Sequence, residues 1–221
     1  MTGVRLDGAS LRNADLRGAN LDIKYIPDDN FIADASDLIN WGHNRYDRGD
    51  YQSAITYYSR AIEIDSRSAA AYTYRGLAKS QLQNYQSALD DYNQAIEVNP
   101  SYAKAYSFRG YLRIQQEKYQ LALGDFDRAI SLNPKYDRAY NGKATVYLQQ
   151  KEYSKATRNA TEAIRFNSKY ADAYNNRGLG QYALKNYQAA EQDFRRAIKY
   201  SHRWAEAYYN SGRARYSIVE Y

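Results

Sequence analysis

From Ala35 to Tyr221 apolar residues return at helical spacing in short bursts separated by polar pairs. One stretch shows the rule. Tyr106, Gly110 and Ile114 mark one helical face, the pattern breaks at Glu117-Lys118, and Tyr119, Ala122, Leu123, Phe126, Ala129 and Ile130 resume it. Asn133-Pro134 then ends the second helix, because proline has no amide hydrogen and disfavours helix in the residue before it. Asn99-Pro100 does the same one unit earlier. The pattern predicts pairs of helices joined by tight turns.

The pairs repeat at a fixed interval. Tyr51, Tyr85, Tyr119, Tyr153 and Tyr187 stand 34 residues apart, each followed three residues on by Ala54, Ala88, Ala122, Ala156 or Ala190. An Ala-Ile pair recurs from Ala61-Ile62 to Ala197-Ile198, and a second tyrosine register runs through Tyr72, Tyr106, Tyr140, Tyr174 and Tyr208. Self-similarity at such a period is the mark of a stacked solenoid. Gly42, Gly76, Gly110 and Gly178 lie twelve residues before Ala54, Ala88, Ala122 and Ala190. In an antiparallel hairpin these small residues are expected to meet, so that the two backbones approach closely.

These residues resemble the tetratricopeptide repeat (TPR) family. Tyr72, Gly76, Tyr85, Ala88, Tyr92, Ala95 and Pro100 carry its pattern, and the resemblance covers Ala35 to Tyr221. It implies an all-α, right-handed superhelical solenoid of antiparallel helix pairs. The repeats fall at 35–68, 69–102, 103–136, 137–170 and 171–204, with an extra helix at 205–221. The family's concave surface, lined by the first helices, usually binds peptide segments of partner proteins.

The fourth repeat departs from its siblings. Ala144 replaces the glycine, Ala160 stands where the others carry Tyr58, Tyr92, Phe126 or Phe194, and Tyr147 replaces Arg45, Lys79, Arg113 or Gln181. The favoured reading is compensation, one ring lost on the second helix and one gained on the first; the rival is a local pocket at Ala160. A second co-variation is internal to the chain. Arg75, Arg109 and Arg177 are each followed sixteen residues later by Asp91, Asp125 and Asp193. The other repeats change both sites together, to Trp41 with Tyr57 and Lys143 with Asn159. Antiparallel packing should bring each arginine to its aspartate as a structural ion pair.

Residues 1–22 have a different, five-residue period. Leu6, Leu11, Leu16 and Leu21 recur with Val4, Ala9, Ala14 and Ala19 two residues before them. These units look like pentapeptide repeats, a family in which the leucine and alanine point into a four-sided β-helix. Four units make about one coil, too little to bury its faces alone, so the segment reads as a remnant, an arm or a docking piece. Residues 23–34, with Pro27-Asp28-Asp29-Asn30, read as a linker.

Composition narrows the function. The chain has 221 residues with no cysteine and two histidines, His43 and His202, so disulfides, thiolate metal sites and histidine-rich metal centres are not expected. No phosphate loop, HExxH or GxSxG motif occurs, and Gly178-Leu179-Gly180 lacks the third glycine and preceding strand of a nucleotide fingerprint. No catalytic residue, cofactor or metal is therefore expected, and an enzyme is disfavoured. No run is long and apolar enough to span a membrane, and no signal-peptide core opens the chain. The expected setting is cytoplasmic, with a peripheral place on a membrane complex left open. The 26 tyrosines against five phenylalanines suit many shallow, half-wet interfaces.

Charge is uneven. Residues 1–34 hold four basic and six acidic side chains (−2), residues 35–134 eleven of each (0), and residues 135–221 sixteen basic and eight acidic (+8). A solvated surface explains part of this; an acidic partner protein is the favoured functional reading, with RNA or an anionic membrane behind it. Carrying family positions over, the residues expected to face the groove are Ile39, His43, Tyr46, Leu77, Lys104, Tyr111, Ile114, Arg138, Asn141, Leu148, Asn175, Leu179, Tyr182, Tyr209, Arg213 and Tyr216. The family's two-carboxylate clamp is read as absent, because Ile39, His43, Thr73 and Tyr74 stand where it needs lysine or asparagine.

The expected function is a non-enzymatic scaffold that binds a peptide segment or acidic surface of another protein. The alternatives are an RNA- or polyanion-binding module using the basic C-terminal third, or the regulatory end of a longer signalling protein of bacterial origin. The last helix exposes Tyr208, Tyr209, Tyr216, Ile218 and Val219 with no second helix to cover them, so self-association through this end, or a longer natural chain, is also expected.

Overall fold

The computed structural model describes residues 33–201 and 205–220. The pentapeptide segment expected at 1–22 lies outside the described residues, as does the expected linker except for Ala33 and Asp34. Eleven helices follow in order: α1 (Ala35–Asp47), α2 (Tyr51–Ile64), α3 (Ala69–Gln81), α4 (Tyr85–Val98), α5 (Ala103–Gln115), α6 (Tyr119–Leu132), α7 (Asp137–Gln149), α8 (Tyr153–Phe166), α9 (Ala171–Ala183), α10 (Tyr187–Tyr200) and α11 (Ala205–Glu220). Among the described residues there is no strand. The chain divides into two compact units, one ending at Phe108 and one beginning at Arg109. In the first, α1 packs on α2, α2 on α3 and α3 on α4; in the second, α6 through α10 each pack on the next helix.

Two local devices set these lengths. Each first helix ends on a residue with positive φ: Gly49 (78°), Gln83 (61°), Glu117 (57°), Lys151 (59°) and Lys185 (63°). The next amide then turns back to the carbonyl five residues earlier, as Asn84 does to Lys79 (3.0 Å) and Lys118 to Arg113 (2.8 Å). This closes the helix as a glycine-type cap would, although glycine is present only once. Four second helices, α2, α4, α6 and α8, end on a side-chain turn instead. The Asp65, Asn99, Asn133 and Asn167 carboxylate or amide oxygens accept from the amide two residues on, at 3.0–3.2 Å. Only two of the four are followed by proline, so the Asx turn is the general stop and Pro100 and Pro134 reinforce it.

In four of the five pairs the core is a ring held against a glycine. Ala54, Ala88, Ala122, Ala156 and Ala190 are fully buried, and so are Tyr58, Tyr92, Phe126 and Phe194. The nearest neighbour of each glycine in this register is the ring. A Cβ at Gly42 would stand 2.4 Å from the Tyr58 ring, at Gly110 2.8 Å from Phe126, and at Gly178 2.7 Å from Phe194. At Gly76 the Ala88 carbonyl also stands close, at 3.1 Å. The glycine therefore makes room for the aromatic sixteen residues later; a methyl there would overpack, at a cost of about 1–3 kcal/mol.

That arrangement accounts for the fourth repeat. Ala160 and Ala144 are both fully buried, so where the ring is missing the first helix carries a methyl in place of the ring-holding glycine. Tyr147 is half-buried and lies under Lys155, whose Nζ stands 5.4 Å from the ring centre. The exchange that matches the lost ring is thus Gly to Ala at residue 144. Gly142 serves the repeat before it: a Cβ there would be 2.3 Å from Phe126.

Candidate peptide-binding face

The aspartates at the 16-residue spacing each accept two bonds from their arginine. Arg75 Nε and Nη2 donate to Asp91 at 3.0 and 2.7 Å, Arg109 Nε and Nη2 to Asp125 at 3.1 and 2.7 Å, and Arg177 Nε and Nη2 to Asp193 at 2.7 Å each. Two of them take a second cation from the first helix, Lys79 on Asp91 at 2.8 Å and Arg113 on Asp125 at 2.7 Å. In the first repeat Trp41 and Tyr57 meet edge-to-face at 5.9 Å. In the fourth, Lys143 turns back to Asp127 of the third repeat, at 2.6 Å. All six arginine and aspartate side chains are engaged with one another.

The expected groove residues divide into buried and open ones. Asn141 and Asn175 are each 3% exposed. Asn141 Oδ1 accepts from Asn176 Nδ2 (2.9 Å), while its own amide points to the Tyr111 and Tyr170 hydroxyls at 3.4 Å. Asn175 accepts from Asn210 at 3.4 Å. These asparagines tie neighbouring first helices together and offer little to a ligand. Tyr111 donates to the Arg138 carbonyl at 2.8 Å, and burial pushes its phenol well above the usual range. Asp172, which the sequence reading did not single out, joins this network: burial raises its carboxyl and Arg138 opposes the shift. Its signal in the sequence is the register it shares with Lys104 and Arg138.

In the first unit His43 is the centre. Its Nδ1 lies 2.8 Å from the Tyr58 hydroxyl and its ring meets Tyr74 at 4.1 Å. Lys104 Nζ donates to the Tyr74 hydroxyl at 2.8 Å. Burial lowers the imidazole's affinity for a proton, with Asp47 raising it and Lys104 adding to the fall. Tyr46 packs against Tyr51 at 5.1 Å, Ile39 packs against the Leu38–Trp41 cluster, and Leu77 is half-buried.

In the second unit Ile114 and Leu148 are half-buried, and the open residues gather on α9 and α11. Tyr209 and Tyr216 are each 66% exposed. The Arg213 guanidinium lies 4.7 Å from the Tyr182 ring and 5.7 Å from that of Tyr209. Tyr182 shares a 3.2 Å hydrogen bond with Ser217, and Leu179 packs beneath beside Phe194. Together Tyr182, Tyr209, Arg213 and Tyr216 border an open concavity of about 420 Å³. Such a surface offers flat rings, a cation already seated on them and phenol hydroxyls, which suit an extended peptide with carboxylate groups.

Helix pairs with a 34-residue period, four of the five closed by an aromatic ring against a glycine, define a repeat scaffold. Family models described as tetratricopeptide repeat match residues 69–102, 171–203 and 109–157, and one described as TPR repeat matches 42–83. The chain belongs to the tetratricopeptide repeat family. Residues 1–22 match a model described as pentapeptide repeats (8 copies). No curated protein matches the chain in sequence. Among solved structures it is similar to TTC0263, a thermophilic TPR protein in Thermus thermophilus. That match has 16% identity and a TM-score of 0.71, covering 81% of this chain and 98% of that one. It is also similar to Pseudomonas aeruginosa pilF, at 20% identity and a TM-score of 0.71, with 81% and 82% covered. A third is YrrB, described as a TPR protein with an unusual peptide-binding site, at 22% identity and a TM-score of 0.54, with 80% and 91% covered. These likenesses concern the fold. Among the described residues no helix is long and apolar enough to cross a membrane.

Proposed function

We propose that the protein is a non-enzymatic scaffold that holds a peptide segment of a partner protein against its first helices, with the face of α9 and α11 as the principal contact. The observation that carries this reading is the cluster of Tyr182, Tyr209, Arg213 and Tyr216, in which two rings are largely exposed and the arginine is already stacked. Aromatic and arginine side chains of this kind dominate peptide and protein interfaces. The +8 balance of residues 135–221 favours a segment bearing Asp or Glu. A panel of extended peptides, acidic and neutral, tests it by fluorescence anisotropy at low and high salt. Acidic peptides with aromatic or aliphatic anchors should bind, and Tyr209→Ala with Tyr216→Ala should weaken them about ten-fold or more. Equal binding by the double variant overturns the assignment. If instead single-stranded RNA binds with an affinity that collapses as salt rises, the basic third is a polyanion surface.

A further inference from the structure

Trp41 faces the place where the second helix of a preceding repeat would lie. Later repeats carry Arg75, Lys143 and Arg177 at its register position, and each reaches back to the repeat before it. Arg75 contacts Ser59 at 3.1 Å, Lys143 contacts Asp127 at 2.6 Å and Arg177 contacts Thr161 at 3.4 Å. Even so covered, these three side chains stay 18–20% exposed. Among the described helices α1 packs only on α2 and α3, with none on that outer side. Trp41 is nevertheless 4% exposed. Arg45, one turn on, behaves alike: its side chain is 11% exposed against 21% for Lys79, which holds the same place one repeat later. Its Nη2 is buried with no hydrogen-bond partner among the described residues. Tyr57 meets the indole from within the repeat, but that contact alone does not make the first repeat more buried than those inside the array.

We infer that residues 28–32, which lie outside the described residues, run back along α1 and cap this face. The chain already arrives there, because Ala33 and Ala35 pack against the cluster of Leu38 and Trp41. Leu38, Trp41, Arg45 and Arg48 form one stripe of α1 that starts beneath Asp34. Reach fixes the register. Phe31 stands three residues before Asp34, about 10 Å of extended chain, and Trp41 stands seven helical residues after it, also about 10 Å. Five or six extended residues span about 17–20 Å, which brings Asp29 level with Arg45 and Asp28 level with Arg48. The stretch Asp28-Asp29-Asn30-Phe31-Ile32 thus offers a ring to the indole and carboxylates to the guanidinium groups in the order that α1 presents them. The stretch expected to be a linker becomes the end cap that a stacked array needs, and it fixes the pentapeptide segment to the first repeat. The inference does not rest on the peptide-binding face of α9 and α11.

The full chain carries its own probe. Its two tryptophans are Trp41 and Trp204, so Trp204→Phe leaves Trp41 as the sole indole. In that background Trp41 should resist acrylamide quenching equally at all protein concentrations. Phe31→Ser should raise the quenching constant about three-fold or more and shift the emission to the red, while Phe31→Leu restores most of the shielding. Circular dichroism checks that the helices persist. Because the chain has no cysteine, Asp28→Cys with Arg48→Cys gives a second measurement that leaves Phe31 in place, and a short bismaleimide should link the two within one chain. Unchanged shielding in Phe31→Ser, or a Trp41 as quenchable as in urea, overturns the inference. Shielding that grows with protein concentration, or a cross-link that is missing or forms only between chains, does so too, because the cover is then a second copy or none.

Discussion

Asp125 is 4% exposed at its side chain and holds both Arg109 and Arg113. Removing one member of such a cluster strands the others away from water, so Asp125→Ala should lower stability by about 3–5 kcal/mol. Urea unfolding measures it, and a loss below about 1 kcal/mol would show that solvent already screens the pair. His43 supplies a pH test. Its folded pKa lies below 6.5, so the unfolded chain binds the extra proton first. The stability it contributes is present above pH 6.5 and is lost as pH falls from there through the folded pKa. The melting temperature should therefore drop from about pH 7.5 toward about 5.5, and His43→Gln should flatten that slope. Among these residues the sequence showed the arginine–aspartate partnership, because both sites change together within one chain. The second cation was not legible, since Lys79 and Arg113 become Tyr147 and Gln181 in repeats where the aspartate changes or stays independently.

At the scale of the element, the helices were read from their apolar period and their breaks, but the means of stopping were not. Gln83, Glu117, Lys151 and Lys185 adopt positive φ without being glycine, so nothing in their identity announces the turn. Left-handed backbone costs a non-glycine residue roughly 1–2 kcal/mol. Lys185→Gly should therefore stabilise the chain, by about 1 kcal/mol after the added freedom of the unfolded state is subtracted, whereas Lys185→Ala should not. Thermal melts of the two variants compare them; an alanine variant that gains as much would point to the lost charge instead. The glycine registers were legible as close approaches, yet the ring that fills each of them was not. Sequence offset alone does not distinguish an alanine twelve residues on from a ring sixteen residues on, because both fall on the facing side of the second helix.

For the molecule as a whole, a 34-residue period was enough to give the helix pairs and their order, because every repeat votes on the same pattern. The proposed binding face was only partly legible. Family position marks which side a residue is on, but not how far a neighbouring helix buries it, and Asn141 and Asn175 are buried while Tyr209 and Tyr216 are largely exposed. The same dependence between neighbours limits how this gene could be rearranged. The third and fourth repeats are interlocked: Phe126 needs Gly142, and Lys143 answers Asp127 rather than an acid of its own. Deleting the fourth repeat by itself would set Asn176, one period on, where Gly142 meets Phe126, and would leave Asp127 without its lysine. The heritable module at this point in the array is thus two repeats long, although the sequence period is one.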